Sequence, residues 1–415
     1  MLQPPASVRR LKILFLTNWY PTTAEPARAV WIREQAKAAQ IHDDVALLHC
    51  VGPDPDLKRL WRIEHADDQG IPTYRVWYRP PRIRRASYFC YVWSVWQAFR
   101  HVADGGFRPD VIHVHVYDAG APAILIGKFK RISVVVAEHF SSFPRRVLGP
   151  LDLLKAWVAF RWADMVLPVS EALRAAIEHY GIRARFHVVP NVVDTALFAP
   201  APNCRRDIVR KRIVFVGQLV PAKGVPGLLQ ALSRLGQRRR DWHLDIVGEG
   251  AARTEYEGLV ADLNLSGEVA FHGLKTKREV AEFMRGADFL VMASLCETFS
   301  APLAEAMATG IPVLATRCGG PEEFVSEEVG VLVPPGDVEA LCNGLDYMLD
   351  HLHCYSSERI SQYARERFSP ECVGASLHAV YRAIFREPRR SRRIHDSTAQ
   401  GARRPSPRKR RSRIA

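Results

Sequence analysis

Residues 289–316, FLVMASLCETFSAPLAEAMATGIPVLAT, read as strand, loop, helix, turn and strand in succession. Phe289-Leu290-Val291-Met292 is a short run apolar at every position, the signature of a strand covered on both faces. Pro302 suits the first turn of a helix, where its missing N–H costs nothing. Gly310 ends that helix, and Ile311-Pro312 leads into the next strand at 313–316. This places Glu297 in the loop at the helix entrance and Glu305 inside the helix. The unpaired N–H groups near Phe299, Ser300 and Ala301 make the helix start a phosphate site, through donors and dipole together. Two carboxylates beside such a site suit sugar hydroxyls, one holding a ribose and the other a hexose. The plainer alternative is a helix cap at Glu297 and an ordinary surface acid at Glu305.

Outward from this stretch the same alternation recurs. In the second half, strands are expected over 213–217, 243–247, 269–271 and 329–333, with helices over 228–235, 253–263, 277–285 and 338–349 between or after them. In the first half, strands are expected over 11–17, 45–51, 73–78, 111–115, 133–138, 165–169 and 186–189. Helices there fall over 29–40, 88–102, 151–162 and 171–180. Strands spaced by helices imply parallel sheets, so the fold class is α/β, two doubly wound Rossmann-like domains facing across a cleft. The boundary falls at Pro200-Ala201-Pro202-Asn203. The expected division is 1–10 as an extension, 11–202 and 203–372 as the two domains, 373–388 as a helix packing back toward the first, and 389–415 as a basic tail.

Lys223 follows the strand 213–217 and lies at its carboxyl end, where it can neutralise a diphosphate. Gly248-Glu249-Gly250 follows another strand, but Arg253 stands where a dinucleotide fingerprint needs its third glycine. No phosphate loop ending in Gly-Lys-Ser/Thr occurs. In Val111-Ile112-His113-Val114-His115-Val116 both His lie on one strand face, and His115, nearer the carboxyl end, is expected at the cleft. Glu138 and His139, ending another strand, are candidates on the acceptor side.

Composition limits the remaining possibilities. The chain has 415 residues and a net charge of +14. Residues 387–415 hold eleven Lys/Arg and two acids, so +9 of that charge sits in a segment poor in large apolar residues. Eight scattered Cys include no C-x-x-C pair, which argues against a zinc site and fits a reducing compartment. No apolar run reaches the length of a membrane span, and residues 13–16 are too short for a signal-peptide core. A cytoplasmic location is expected. Residues 79–85, rich in Arg, precede the aromatic stretch 88–96. That pairing suits an anionic membrane surface on the inner face, or equally a core helix behind a solvated loop. Nucleic acid has only the basic tail in its favour.

Taken together, these segments resemble the retaining GT-B glycosyltransferases, specifically glycosyltransferase family 4. Glu297 and Glu305 form the family's E-x7-E pair. Val216-Gly217-Gln218-Leu219-Val220-Pro221-Ala222-Lys223-Gly224 matches V-G-x-L-x-x-x-K-G, and Val189-Pro190-Asn191-Val192-Val193-Asp194 matches V-P-N-x-V-D. Gly319-Gly320-Pro321-Glu322-Glu323, and Tyr20-Pro21 with Trp31-Ile32-Arg33-Glu34-Gln35, also fit, so the likeness spans about 11–385. It implies a hexosyltransferase moving a sugar from a nucleoside-diphosphate sugar to an acceptor hydroxyl, with retention, in polysaccharide or glycolipid synthesis. It implies no cofactor beyond that co-substrate and no metal. It places Glu305 on the donor ribose, Glu297 on the transferred sugar, and Lys223 with the amides of Phe299 and Ser300 on the diphosphate. Gly273 and Leu274 would lie near the base, and His115 in the active site. The acceptor would be a carbohydrate, free or lipid-linked. Two positions depart from the family: Gln218 stands where many members carry Arg, and Ala29 where many carry Gly. The rival readings are a nucleotide-sugar epimerase of the same architecture and a donor-binding protein with a decayed site.

Overall fold

The structure is a computed structural model describing residues 9–25, 28–83, 86–200 and 210–386. The tail at 389–415, most of the expected boundary, and Arg84 and Arg85 lie outside the described residues. Seven strands, β1 (Lys12–Thr17), β2 (Asp44–Pro53), β3 (Trp61–Asp68), β4 (Ile71–Tyr78), β5 (Val111–His115), β6 (Ser133–Glu138) and β7 (Met165–Pro168), form the first sheet. Their order is β3-β4-β2-β1-β5-β6-β7, with every pairing parallel except β3 with β4. Strand β1 is central, so alternate side chains enter two different cores. Leu14 and Leu16 pack with α2 (Ser87–Asp104), α3 (Gly120–Lys130), α4 (Pro150–Trp162) and α5 (Glu171–His179). Ile13 and Phe15 pack with α1 (Val30–Gln40) and the C-terminal helix α12 (Pro370–Arg386).

The second sheet runs β10-β9-β8-β11-β12-β13 and is parallel throughout. Its strands are β8 (Lys211–Val216), β9 (Trp242–Val247), β10 (Val269–Gly273), β11 (Phe289–Met292), β12 (Val313–Thr316) and β13 (Gly330–Val333). The helices of this half are α6 (Val225–Leu235), α7 (Arg253–Asp262), α8 (Lys277–Gly286), α9 (Ala301–Ala308), α10 (Val338–His351) and α11 (Ser357–Phe368). From α11 the chain returns to the first half through α12. There the helices meet backbone to backbone: a Cβ on Gly374 would stand 2.3 Å from the Ala38 carbonyl oxygen. His378 reaches Asp43 at 2.9 Å and Tyr381 reaches His113 at 2.6 Å.

In each sheet the strand order reverses once, between β1 and β5 and between β8 and β11. Chain connections leave in opposite directions at such a point and open a crevice at the carboxyl ends. Lys223 follows β8 and Glu297 follows β11, so both stand at the second reversal.

Four segments differ from the sequence reading; one is α11, mostly polar along SERISQYARERF and so without a clear apolar stripe. Residues 186–189 form no regular strand; they lie along β7 through a single bridge, Phe186 to Val166, and a few backbone hydrogen bonds before Pro190 ends the pairing. Strand β3 escaped notice because it is a polar edge strand carrying Arg62, Glu64, His65, Asp67 and Asp68. Helix α3 opens on Gly120-Ala121-Pro122 and continues almost uniformly apolar, so it shows no helical stripe.

Candidate active site

Four loops meet at the second reversal, and glycines set how closely they approach. Gly224 has φ +68°, and a Cβ there would lie 1.9 Å from the Ala293 carbonyl oxygen, so the turn carrying Lys223 is pressed onto the loop carrying Glu297. The Leu295 amide donates to the Ala222 carbonyl at 2.9 Å across the same seam. A Cβ on Gly320 would stand 2.3 Å from the Thr298 oxygen. Here the Glu297 amide donates to the Cys318 carbonyl at 3.1 Å, and the Gly320 amide donates to that of Glu297 at 2.9 Å. Gly248 and Gly250 do the same on the other side, their Cβ positions falling 1.9 Å from the Gly217 oxygen and 2.3 Å from the Leu219 oxygen. The incomplete glycine fingerprint is therefore a packing device that holds the β9 loop against the exposed Gln218.

Within this frame the Lys223 ammonium donates to Glu297 Oε1 at 2.6 Å, and Ser294 Oγ donates to the same oxygen at 2.8 Å. An ammonium has three donors, so one bond to Glu297 leaves two for a ligand. Immediately beyond, α9 begins without a cap. Ser300 takes the left-handed conformation at φ 72°, and its side chain caps nothing. Its hydroxyl is buried with no partner among the described residues. The Phe299 ring is buried against Phe324 and Phe368, centroids 5.2 and 5.3 Å away. Phe299 and Ser300 therefore offer backbone amides, and the Phe299 side chain belongs to the core. An uncapped helix start beside an ammonium concentrates positive potential at one point.

Glu305 lies one turn into α9, half-buried in the cleft wall. Burial holds its pKa above the ordinary 4.5; Lys277 lowers it, while Glu34 and Asp194 of the first domain raise it again. Lys277 itself pairs with Glu34 at 3.2 Å, so Glu305 looks across the cleft. Gly273, at φ +70°, receives the Gly248 amide on its carbonyl at 2.9 Å, and Leu274 projects into solvent.

On the first domain, His113, His115 and His139 form a buried stack with centroid separations of 4.5 and 5.6 Å. Burial lowers all three pKa values, to about 3 for His113, well below the ordinary value for His115 and to about 4 for His139. They are neutral imidazoles at physiological pH. His115 has no exposed surface and touches His139 at 3.4 Å; the ring nearest the cleft is His139. The His139 carbonyl accepts from Thr298 Oγ at 3.0 Å, which joins it to the residue after Glu297. Glu138 turns inward, its carboxylate accepting the amides of Tyr117, His139 and Phe140 at 2.9–3.1 Å. Burial raises its pKa to about 7 against those hydrogen bonds. It therefore shapes the loop that presents His139.

Ser294, Thr298 and Lys277 were not singled out in the sequence, and Glu323 was matched only as part of a family element, with no role. Ser294 stands three residues before Glu297 and was the most accessible to such reasoning. Glu323 accepts the amides of Glu171 and Ala172 at 2.9 and 2.6 Å, capping α5 from the opposite domain; only the fold reveals this. Among the described residues no group of three His, Cys, Asp or Glu side chains could hold a metal ion.

Known proteins resemble this chain in sequence and in fold. Residues 207–367 match the family model of glycosyl transferases group 1, and residues 29–197 that of Glycosyltransferase Family 4. The D-inositol 3-phosphate glycosyltransferase of Corynebacterium urealyticum is 32% identical over 67% of this chain and 72% of its own. The MMP alpha-(1->4)-mannosyltransferase of Mycolicibacterium hassiacum is 37% identical over 49% of each chain, so this chain spans about half the length of that relative. Anabaena HepE in complex with UDP superposes with a TM-score of 0.71 at 21% identity, over 90% of this chain and 100% of that one, a likeness of fold. On these matches the chain belongs to the group 1, family 4 glycosyltransferases of GT-B architecture.

Proposed function

We propose that the protein is a retaining hexosyltransferase that moves a sugar from a nucleoside-diphosphate sugar to an acceptor hydroxyl in polysaccharide or glycolipid synthesis. The observation that carries this reading is the convergence of Lys223, Glu297 and the uncapped start of α9 at one strand-order reversal, with Glu305 one turn further. The amides of Phe299 and Ser300 and the Lys223 ammonium hold the diphosphate. Glu305 accepts from the ribose hydroxyls and Glu297 from the transferred sugar. As the glycosyl–phosphate bond breaks, negative charge grows on the leaving oxygen, and donors fixed in advance stabilise it without reorganisation. The acceptor oxygen bonds to the anomeric carbon on the face the phosphate leaves, and its proton passes to the departing phosphate oxygen. This route needs no enzymic nucleophile. His139, neutral and next to Thr298, positions the reacting groups from the first domain, with His115 behind it.

The test is transfer to a hydroxyl acceptor, with product stereochemistry read by NMR. Glu305→Ala and Lys223→Ala are expected to remove most turnover while circular dichroism stays unchanged, and the product keeps the donor's anomeric configuration. Near-normal turnover in either variant contradicts the site. Conversion of the donor without an acceptor identifies an epimerase instead.

A further inference from the structure

Helices α2, α3 and α4 lie side by side on one face of the first sheet, and their outward surfaces are unusually apolar. Phe89, Trp93, Phe129, Leu151, Leu154 and Trp162 are each between 46% and 75% exposed. On α2, Phe89 and Trp93 fall on the stripe opposite the buried Tyr91, Val95 and Phe99; on α4, Leu151, Leu154 and Trp162 fall on another. The stripes adjoin. Trp96 on α2 meets the Phe129 ring on α3 edge-on at 5.8 Å, and Lys128 on α3 sits 3.3 Å over the Trp162 ring on α4. The α3–α4 approach is close, since a Cβ on Gly120 would stand 2.3 Å from that of Ala159. This is one continuous surface, larger than the isolated apolar residues a protein ordinarily shows to water.

The charge on these helices selects the occupant. They carry five Lys/Arg and two Asp, a net charge of +3, with Lys155 already held by Asp152 at 3.0 Å and Asp118 at 3.5 Å. Aromatic rings interleaved with lysines match the interface of an anionic bilayer, where rings sit at headgroup depth and ammonium groups meet phosphate. A second copy of the chain would set the same cations against themselves across a two-fold axis. The chain's own segment 387–415, at +9, would be repelled as well. Among the described residues no helix is long and apolar enough to cross a membrane, so contact would be peripheral.

We infer that the outer face of α2, α3 and α4 is a docking surface for an anionic lipid bilayer. In a parallel α/β lobe the helices start at the carboxyl ends of the strands. Phe89, Leu151 and Leu154, in the first turns of α2 and α4, therefore lie at the cleft mouth, and Phe129 and Trp162 lie at the far end. Docked along this flank, the lobe holds its cleft at headgroup level, where a lipid-linked acceptor presents its sugar. That purpose rests on the proposed transfer reaction; the docking does not.

The test is co-sedimentation of the full chain with phosphatidylcholine vesicles, with and without roughly a quarter phosphatidylglycerol. Two variants are compared, Phe89→Ser/Phe129→Ser/Leu154→Ser and Lys128→Ala/Lys130→Ala, with thermal midpoints confirming the fold. Wild type is expected to bind the anionic vesicles, and each variant to lose about tenfold or more in partitioning while nucleoside-diphosphate binding is unchanged. Should the triple variant fail to fold, the lysine pair decides. Unchanged partitioning in a folded variant, or no binding by wild type, overturns the inference. A wild-type dimer in sedimentation velocity that the triple variant dissolves also overturns it, in favour of a second copy. Because partitioning is read without substrate, it can fail while transferase activity stands, and the reverse.

Discussion

Replacing Lys223 with Met removes the ammonium from Glu297 and keeps the bulk of the side chain. The two side chains are 22% and 10% exposed, so the carboxylate would stay largely out of water with Ser294 Oγ as its remaining side-chain partner. Stranding one member of a fully buried pair costs about 3–5 kcal/mol. Partial access to solvent on the lysine side brings the expectation to about 2–3 kcal/mol. Glu297→Gln strands a more exposed ammonium and should cost about 1 kcal/mol. The double variant leaves no charge unpaired, so it should be more stable than Lys223→Met alone, with a coupling energy of about 1–2 kcal/mol. Urea unfolding of all four proteins, followed by circular dichroism, gives the cycle. A Lys223→Met variant within about 0.5 kcal/mol of wild type, or a coupling of zero, would refute the claim that the pair is a real, desolvated contact.

Ala29 caps α1 in the left-handed conformation at φ 49°, so Ala29→Gly should stabilise the protein by about 1 kcal/mol, read as a higher urea midpoint. Gly224→Ala should do the reverse, because the new Cβ meets the Ala293 carbonyl oxygen at 1.9 Å; a drop of at least about 2 kcal/mol is expected from chemical denaturation. Stability should also fall with acid. Burial holds His49 and His139 at about 4 and His113 at about 3, against an ordinary 6.5. The unfolded chain therefore binds more protons over that window. Stability from these groups is complete above 6.5 and drains away as pH falls through about 4, at about 3 kcal/mol per histidine. Glu138 works the other way between 4.5 and about 7, one carboxyl against three imidazoles. Thermal midpoints from pH 4 to 8 should rise with pH, more gently in His49→Gln; a flat profile contradicts the burial.

The architecture and much of the candidate site were legible because they rest on local rules. Residues 289–316 carry a complete strand–loop–helix–strand pattern in one stretch, and Pro302 and Gly310 mark the helix ends wherever the segment sits. Lys223 was readable as a residue at a strand's carboxyl end. Its contact with Glu297, 74 residues later, depends on β8 and β11 being neighbours, and strand order is not written in any local spacing. The histidines show the same limit. Alternation put His113 and His115 on one face of β5, but depth is set by what packs above, and His139 with Trp31, centroids 6.0 Å apart, covers His115. Glu138 ends its strand as expected; only the fold of the following loop turns three amides onto it. Gly319 and Gly320 were matched as a family element, and the structure supplies the reason: side chains there would collide with the backbone of Glu297 and Thr298.

The central claim is that Lys223 and the start of α9 grip a diphosphate. Calorimetric titration of wild type and Lys223→Met with a nucleoside diphosphate and its monophosphate isolates the contribution of the second phosphate. Wild type should prefer the diphosphate by about tenfold or more, and the variant should lose most of that preference. An equal preference in both proteins would mean that the phosphates bind elsewhere.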